Sequence, residues 1–308
     1  MTTASAPAKI ILFGEHAVVY GQPALAVPVT QLQATAAVSA ADRPGVWIEA
    51  PDIGLSAAVE RLPTDDPLRA AVTAVLSVLQ IASAPACRIE VRSTIPVASG
   101  LGSGAAVTVA VLRAFSSFLG RPLDEAAVNR LAFEVEKLHH GTPSGIDNTV
   151  VTYARPVYFV KDRPIETLRV GAPLNFVIAD SGVAAPTRES VGDVRALWQA
   201  RPALIEPIFE AIGRLVVRAR RAIEAGETAA LGPLMDENHA LLQKLTVSSP
   251  ELDRLVAAAR TAGALGAKLS GGGRGGNSIA LVAPQRSRQV AQALLQAGAR
   301  QVFQTEVT

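Results

Sequence analysis

Apolar and polar positions follow different patterns in the two halves of the chain. The first half contains short apolar or alternating runs of strand length, which are Lys9–Phe13, Ala24–Val27, Thr30–Ser39, Gly45–Ala50 and Cys87–Ile95. The second half is dominated by longer stretches with helical spacing, which are Pro202–Ala225, Glu227–Leu245 and Pro250–Thr261. This pattern predicts an α+β protein of two lobes, with β-rich material first and helices dominant later.

One predicted strand leads into a glycine-rich turn and then into a helix. The run Cys87–Ile95 is followed by the turn Gly100–Gly104 and by the helix-forming stretch Ala105–Leu119. Such an arrangement presents backbone N–H groups and the positive end of the helix dipole to an anion. The segment is therefore a candidate phosphate cradle, and a tight turn before a buried helix is the alternative. No Gly-Lys-Ser/Thr follows, which excludes a Walker A loop.

A second glycine-rich segment lies far away in the sequence. Lys268–Gly276 reads KLSGGGRGG and places five glycines in six positions. So many glycines lose considerable backbone entropy on folding, which disfavours an incidental loop. Two such segments, one in each half, indicate that both wrap one polyphosphate. Arg274 either neutralises a phosphate or lies in solvent as an ordinary loop charge.

Acidic side chains cluster between residues 134 and 147. Glu136 lies near the predicted end of a helix, where the dipole disfavours an anion unless a cation such as Mg²⁺ is present. Glu134 is two positions away and points to another face, so we expect it in solvent. Asp147 lies in a turn and is a candidate acceptor of a hydroxyl proton. Capping of a helix that starts at Asn148 is the alternative, and the residues alone favour it.

Two further polar candidates lie at the two ends of the first apolar run, Lys9 at its start and His16 after its end. Lys9 stands at its edge, where a surface lysine that extends into solvent is the usual explanation. His16 either orients a substrate carboxylate or satisfies a turn.

Composition excludes several classes of protein. The 308 residues are 49% hydrophobic and 18% charged, which is typical of a folded protein with a sizeable core. The net charge of +2 gives no indication of nucleic-acid binding. The single cysteine, Cys87, excludes an intrachain disulfide. Neither a secretory signal nor a membrane-spanning run is recognisable, so the sequence predicts a cytoplasmic protein without membrane contact.

Four segments together resemble the signature motifs of the GHMP kinase superfamily, and within it those of the mevalonate kinases. They are KIILFGEHAVVYGQPALAVPV (Lys9–Val29), PVASGLGSGAAVTVA (Pro96–Ala110), EKLHHGTPSGIDN (Glu136–Asn148) and KLSGGGRGGNSIALV (Lys268–Val282). The resemblance implies the two-lobe fold of that superfamily, with an N-terminal α/β lobe over residues 1–165 and a ferredoxin-like α+β lobe over residues 166–308. It also implies ATP- and Mg²⁺-dependent phosphorylation of mevalonate in isoprenoid synthesis. Members are often dimers, which adds a homodimer to the expectations.

The resemblance also implies roles for individual residues. Asp147 matches the catalytic aspartate, and Lys9 matches the lysine beside it, which stabilises charge on the transferring phosphoryl group. Glu136 matches the Mg²⁺-binding glutamate, with Ser103 as the nearby hydroxyl. The residues that match substrate-binding positions are Glu15, His16 and Ser144. Those that match nucleotide-binding positions are Pro96, Gly100, Leu101, Gly102, Ser103, Gly104, Ala105, Gly271, Gly272, Gly273 and Arg274.

The chain departs from the superfamily pattern in two motifs. Gly104 stands where a second serine is usual, so Ser103 or a water must supply the hydroxyl to Mg²⁺. Arg274 and Asn277 interrupt the glycines and small residues of the last motif. Two other functions stay open at this point. One is a sister kinase that acts on phosphomevalonate or another small alcohol, and the other is a non-catalytic ligand sensor.

Overall fold

The computed structural model describes residues 1–96, 99–140, 143–184 and 187–308, without the side chains of residues 139 and 140. Within these ranges the strands are β1 (Thr2–Phe13), β2 (Ala24–Ala40), β3 (Val46–Ala50), β4 (Leu55–Ala58), β5 (Cys87–Ser93), β6 (Val157–Phe159), β7 (Glu166–Thr167), β8 (Leu174–Asp180), β9 (Gly266–Ser270), β10 (Asn277–Val282) and β11 (Gln301–Val307). The helices are α1 (Pro67–Val78), α2 (Ser103–Phe118), α3 (Glu125–His140), α4 (Ile146–Tyr153), α5 (Thr187–Ala200), α6 (Pro202–Ala225), α7 (Thr228–Lys244), α8 (Pro250–Thr261) and α9 (Ser287–Gln296). The α+β class predicted from the sequence is confirmed.

The chain forms two compact units, and neither is continuous in sequence. The first unit comprises Met1–Ala8, Val29–Val97 and Gly102–Ala154. The second unit comprises Lys9–Pro28, Ala98–Leu101 and Arg155–Thr308. These units group residues by contact and are not the two sequential lobes of the sequence analysis. The lobe boundary near residue 165 therefore stays a prediction.

The first unit is built around helix α2. Strand β3 lies between β4 and β5, antiparallel to β4 and parallel to β5, and the second part of β2 pairs antiparallel with β5. Helix α2 packs against β5 and against helices α1, α3 and α4. Its residues Val109, Leu112 and Phe115 are fully buried. A helix that is apolar on nearly every side is stable only when other elements cover it, which explains the unbroken apolar run of the sequence.

Capping side chains define two helix starts of the first unit. Asp66 Oδ1 accepts hydrogen bonds from the backbone N–H groups of Leu68 and Arg69, and Asp124 Oδ1 accepts one from Ala127 at 2.7 Å. An aspartate at this position satisfies N–H groups that have no partner inside the helix, so both caps stabilise the helix starts.

The sequence patterns were wrong about three elements. The runs Ala24–Val27 and Thr30–Ser39 form the single strand β2, whose two ends pair with different strands, β6 and β5. The run Tyr153–Lys161 also has the pattern of a strand, but Tyr153 ends helix α4 and the strand β6 covers only Val157–Phe159. Strand β9 was not predicted, because its last residues read as part of the glycine-rich segment. In each case pairing between distant segments overrides the local pattern.

The second unit contains an antiparallel sheet with the strand order β11-β8-β10-β9. Asn277 of β10 lies opposite Asp180 of β8 and opposite Ser270 of β9. Helices α8 and α9 pack on this sheet, and helix α7 packs against β9. The core between the sheet and helices α8 and α9 includes the buried side chains of Val177, Val256, Val282, Val290 and Leu294. No helix in the described ranges combines the length and the apolar character that crossing a membrane requires.

Candidate active site

A strained turn follows strand β1 in the second unit. His16 has φ 60° and ψ −50°, and the N–H of Ala17 donates to the carbonyl of Glu15 at 2.7 Å. This three-residue turn is a rare conformation for a residue with a side chain. Such strain persists only where the surrounding structure holds it, and it is concentrated at functional sites.

The imidazole of His16 is held in one tautomer. Its Nε2 lies 3.0 Å from the carbonyl oxygen of Gly272, and burial lowers the pKa of His16 to about 4. The ring is therefore neutral near pH 7. Because a carbonyl only accepts, Nε2 carries the hydrogen and Nδ1 is an acceptor. Nδ1 is buried and has no hydrogen-bond partner among the described residues.

Glu15 and Lys268 form a buried ion pair, although they lie 253 positions apart. Their side chains are 1% and 0% exposed. Lys268 Nζ donates to Glu15 Oε1 and to the carbonyl of Leu269, the latter at 2.6 Å. Burial raises the pKa of Glu15, and the positive charges of Lys268 and Lys9 oppose that rise. The second oxygen, Glu15 Oε2, is buried and has no hydrogen-bond partner within the described ranges.

Lys9 lies inside the second unit. It is only 3% exposed, and its backbone N–H donates to the carbonyl of Leu101 at 3.0 Å. The interpretation of Lys9 as a surface lysine is therefore wrong. Leu101, in the first glycine-rich turn, is itself fully buried, and its backbone ties that turn to strand β1.

The last glycine-rich segment, Lys268–Gly276, is held by contacts with other parts of the second unit. Ser270 Oγ exchanges hydrogen bonds with the backbone of Ile11 at 3.1 and 3.0 Å. Arg274 pairs with Asp193 of α5, and its Nε donates to the carbonyl of Thr246 at 3.2 Å. These contacts occupy the guanidinium with protein groups. The assignment of Arg274 and of Gly271–Gly273 to the nucleotide stays a prediction.

The first unit supplies the start of helix α2. Its N-cap is Gly102, with φ 76°, and no side chain of the described chain caps it. The first intrahelical bond runs from the N–H of Ala106 to the carbonyl of Gly102 at 2.9 Å. The N–H groups of Ser103, Gly104 and Ala105 precede that bond and have no intrahelical acceptor, so this helix start can receive an anion.

Asp147 lies in the first turn of helix α4, also in the first unit. The N-cap is Gly145, so the interpretation of Asp147 as the cap of a helix starting at Asn148 is wrong. Ser144 Oγ accepts a hydrogen bond from the N–H of Ile146 at 3.3 Å, and the Asn148 amide donates to the Asn129 side chain of α3 at 2.6 Å. These bonds fix the helix that carries the aspartate.

Glu136 lies in the last turns of helix α3, and α3 packs against α2 and α4. Glu134 is exposed and pairs with Lys137 at 2.7 Å. Within the described ranges no three His, Cys, Asp or Glu side chains form a metal cluster. Mg²⁺ needs only one or two protein carboxylates when phosphates and water complete its shell. The carboxylate of Glu136 and the hydroxyl of Ser103 are hard oxygen donors of the kind that Mg²⁺ prefers, so this donor set fits the ion.

The structure groups the predicted residues by unit. Lys9, Glu15, His16 and Gly272 lie in the second unit, and Ser103, Glu136, Ser144 and Asp147 lie in the first. Parts of two motifs, residues 97–98 and 141–142, lie outside the described residues. Sequence reasoning assigned no role to Lys268. A lysine between Ala267 and Leu269 in an apolar run was the available signal, since a buried lysine needs a partner.

Comparisons with known proteins agree with the motifs. The model of the GHMP kinases N terminal domain matches residues 68–155, and that of the GHMP kinases C terminal domain matches residues 219–300. The mevalonate kinase of Pyrococcus horikoshii is 41% identical over 315 residues, which cover 96% of this chain and 92% of that protein.

Solved structures share the fold. The mevalonate kinase of L. major, solved in complex with R-mevalonate, is 29% identical with a TM-score of 0.86 and covers 100% of this chain and 96% of its own. The phosphomevalonate kinase of Streptococcus pneumoniae reaches a TM-score of 0.85 at 17% identity, with 100% of both chains covered. The fold is thus common to both kinds of kinase, and the sequence separates them. The chain belongs to the GHMP kinases and, within them, to the mevalonate kinase family.

Proposed function

We propose that this protein transfers the γ-phosphoryl group of ATP to the primary hydroxyl of (R)-mevalonate and so forms 5-phosphomevalonate. The observation that carries the proposal is the 41% identity over 96% of the chain to a mevalonate kinase. The buried polar atoms near His16 support it, because they are suited to a small substrate with hydroxyl groups.

Glu15 and His16 recognise the substrate through acceptor atoms. Glu15 Oε2 and His16 Nδ1 are buried acceptors in consecutive residues. Acceptors pair with hydroxyl hydrogens and repel carboxylate oxygens. We therefore assign both residues to hydroxyl groups of mevalonate, and not to its carboxylate. Ser144 Oγ already accepts a backbone hydrogen bond and can still donate its own hydrogen to the substrate.

Asp147 and Lys9 act at the attacking oxygen. The new bond forms between the substrate oxygen and the γ-phosphorus, and the bond from that phosphorus to the β-bridging oxygen breaks, which releases ADP. Asp147 accepts the hydroxyl proton. Lys9 stabilises the negative charge of the transferring group. Positioning and electrostatics account for the catalysis, because the nucleotide supplies the reactive phosphoryl group.

The start of helix α2 holds the phosphates. The N–H groups of Ser103, Gly104 and Ala105 donate to phosphate oxygens, together with the turn formed by Gly100–Gly102. Glu136 and Ser103 would hold Mg²⁺, which when bound neutralises charge on the phosphate oxygens. Pro96 and the segment Gly271–Arg274 complete the nucleotide contacts that we propose.

A phosphoryl-transfer assay followed by ³¹P NMR tests the proposal. Purified protein with ATP and Mg²⁺ is incubated separately with mevalonate, 5-phosphomevalonate, galactose or homoserine. We expect a new phosphomonoester signal with mevalonate alone. A new diphosphate signal with 5-phosphomevalonate would contradict the proposal and indicate a phosphomevalonate kinase instead. ATP binding without turnover of any substrate would favour a ligand sensor.

The Asp147→Asn variant is the control for the chemistry. It should lower kcat by several orders of magnitude, or about 4 kcal/mol of barrier, with ATP binding retained. Turnover close to that of the unmodified protein would remove Asp147 from the role of base. A cytoplasmic location and a homodimer remain part of the proposal, and size measurement in solution tests the latter.

A further inference from the structure

Strand β9 is built to place Lys268 against Glu15. Side chains alternate along a strand, so Lys268 and Ser270 point to the face opposite that of Ala267 and Leu269. Ser270 binds the backbone of Ile11, and Lys268 reaches Glu15 four residues further on. One face of β9 therefore docks onto the segment that carries Glu15.

Helices α7 and α8 hold the open edge of β9. This strand is at the edge of its sheet, so half of its backbone groups need partners other than a strand. Asp236 Oδ1 accepts from the N–H of Ala267 at 3.0 Å, and His239 Nδ1 accepts from that of Leu269 at 3.3 Å. Arg260 donates to the carbonyl of Ala267 at 2.8 Å. The backbone of Lys268 is thus held by contacts independent of its ammonium group.

The ammonium group of Lys268 is directed only into the protein interior. Its side chain is 0% exposed, and Nζ donates to Glu15 Oε1 and to the carbonyl of Leu269. A buried ammonium is costly unless it is paired and hydrogen-bonded. Met or Leu in its place would pack without that cost. The charge therefore has a use beyond packing.

We propose that Lys268 is a positioning residue that holds Oε1 of Glu15 and keeps this carboxylate ionised, so that Oε2 is presented as an acceptor to a substrate hydroxyl. The inference rests on the proposed function, because it assigns that hydroxyl to Glu15. Lys268 itself touches no substrate.

The charged groups around Glu15 determine how removal of Lys268 changes the pKa of Glu15. Burial raises the pKa of Glu15, whereas Lys268 and, more weakly, Lys9 lower it. The neighbouring His16 is neutral near pH 7, and His239, which faces Lys268, is neutral as well. Without Lys268 only a backbone hydrogen bond and the charge of Lys9 oppose the effect of burial, and the pKa of Glu15 rises. A protonated Glu15 then no longer offers a charged acceptor at neutral pH.

The experiment compares the pH dependence of kcat/KM for mevalonate in Lys268→Met, Lys268→Arg and the unmodified protein. Lys268→Met should move the acid limb to higher pH and lower kcat/KM about tenfold for each pH unit by which the pKa of Glu15 exceeds the assay pH. The loss should appear with mevalonate while KM for ATP is unchanged. Lys268→Arg should keep the original limb, since it retains the charge.

A matched control variant is Arg260→Met, in helix α8 beside strand β9. Arg260 donates to the backbone carbonyl of Ala267, next to Lys268, and pairs with Asp236 rather than with Glu15. Arg260→Met should lower the free energy of unfolding and leave the acid limb of the kcat/KM profile at its original pH. An acid limb that is unmoved in Lys268→Met, with kcat/KM lowered equally at every pH, would overturn the proposal.

Two neutral variants keep the test decisive if Lys268→Met fails to fold. Glu15→Gln should lack the part of the acid limb that Glu15 causes, and Glu15→Gln/Lys268→Met, which removes both charges, should have the activity of Glu15→Gln alone, because the two residues act as a unit. A double variant much less active than Glu15→Gln would overturn the proposal.

A ¹³C NMR titration of the glutamate carboxyl groups tests the role of Lys268 separately from the proposed function. The signal missing in Glu15→Gln identifies Glu15, and its pKa should be higher in Lys268→Met than in the unmodified protein. An unchanged pKa overturns the role of Lys268, whether or not mevalonate is turned over. Absence of turnover in the unmodified protein would overturn the proposed function alone.

Discussion

The two glycine-rich segments of this protein have similar composition and different surroundings. A Cβ atom built on Gly104, in the first segment, would have no heavy atom of the described chain within 4 Å outside its own helix. A Cβ atom built on Gly273, in the second, would lie 1.9 Å from the carbonyl oxygen of Val247. The first segment therefore leaves space beside its backbone, whereas the second uses its glycines to approach other parts of its own unit.

The backbone bonds of the two segments explain this difference. In the second segment the N–H of Arg274 donates to Val247 at 2.7 Å, and that of Gly276 donates to Val183 at 2.9 Å. In the first segment, N–H groups at the start of α2 have neither a side-chain cap nor an intrahelical acceptor in the described chain. Glycine richness alone does not show whether the backbone groups of a segment already have partners, and the observed hydrogen bonds do.

Gly273→Ala should have the largest effect on stability. The residue has φ 74°, which costs a residue with a side chain about 1–2 kcal/mol, and the contact with Val247 adds a strain of similar size. We expect a loss of about 3 kcal/mol in the free energy of unfolding, measured by urea denaturation. Gly104→Ala is the matched control. A midpoint of Gly273→Ala equal to that of the control would contradict the comparison.

As the pH falls, the contacts that hold the second glycine-rich segment should weaken before the first segment is affected. His16 donates to Gly272, and His239 accepts from Leu269 just before the glycines. Both have a pKa of about 4 in the folded protein, below the 6.5 of an exposed imidazole. The folded state thus binds fewer protons than the unfolded chain between these values, and stability falls as pH falls from 6.5 to 4.

Each of the two histidines contributes up to about 3 kcal/mol to this acid destabilisation. Urea midpoints measured as a function of pH provide the slope. His239→Gln removes one of the two titrating groups and should reduce the slope, while its amide oxygen can still accept from Leu269. A slope that is unaffected by this change would mean that His239 is not neutral in the folded protein.

Substitution of Arg274 should have a smaller effect. Its partner Asp193 is 61% exposed, and exposed ion pairs contribute about 0–1 kcal/mol. In a double-mutant cycle, Arg274→Ala and Asp193→Asn should be coupled by no more than about 1 kcal/mol in unfolding free energy. A rise in KM for ATP in Arg274→Ala, absent in Asp193→Asn, would instead support the phosphate role predicted from the sequence.

Gly104→Ser should have the smallest effect and the opposite sign. The position is helical and has room for a side chain, so the change should stabilise the protein by about 0.5 kcal/mol. The new hydroxyl stands where the superfamily usually has a second serine, and the Mg²⁺ concentration for half-maximal activity should not increase. Destabilisation, measured by thermal unfolding, would show that the space beside Gly104 is not available to a side chain.

Much of the fold could be predicted from local patterns. The ends of helices α6 and α8 agree with the apolar periodicity and flanking glycine or proline, and the caps Asp66 and Asp124 are of a residue type that favours helix starts. Helix periodicity and capping depend on residues within about one turn of each other, so the sequence carries them directly. Strands β2 and β9 were predicted less well, since their extent depends on partners far away in the chain.

The sequence by itself determined the family and the candidate catalytic residues, because contiguous motifs carry them. It left several residues with more than one interpretation, and for three of them the tertiary structure supplies the missing observation. Lys9 is buried, Asp147 is not a helix cap, and His16 presents Nδ1 as an acceptor because Nε2 is committed to Gly272. The pairing of Lys268 with Glu15 came from the structure alone. Burial and pairing across 253 positions are properties of the packed chain, and no local pattern of apolar and polar residues encodes them.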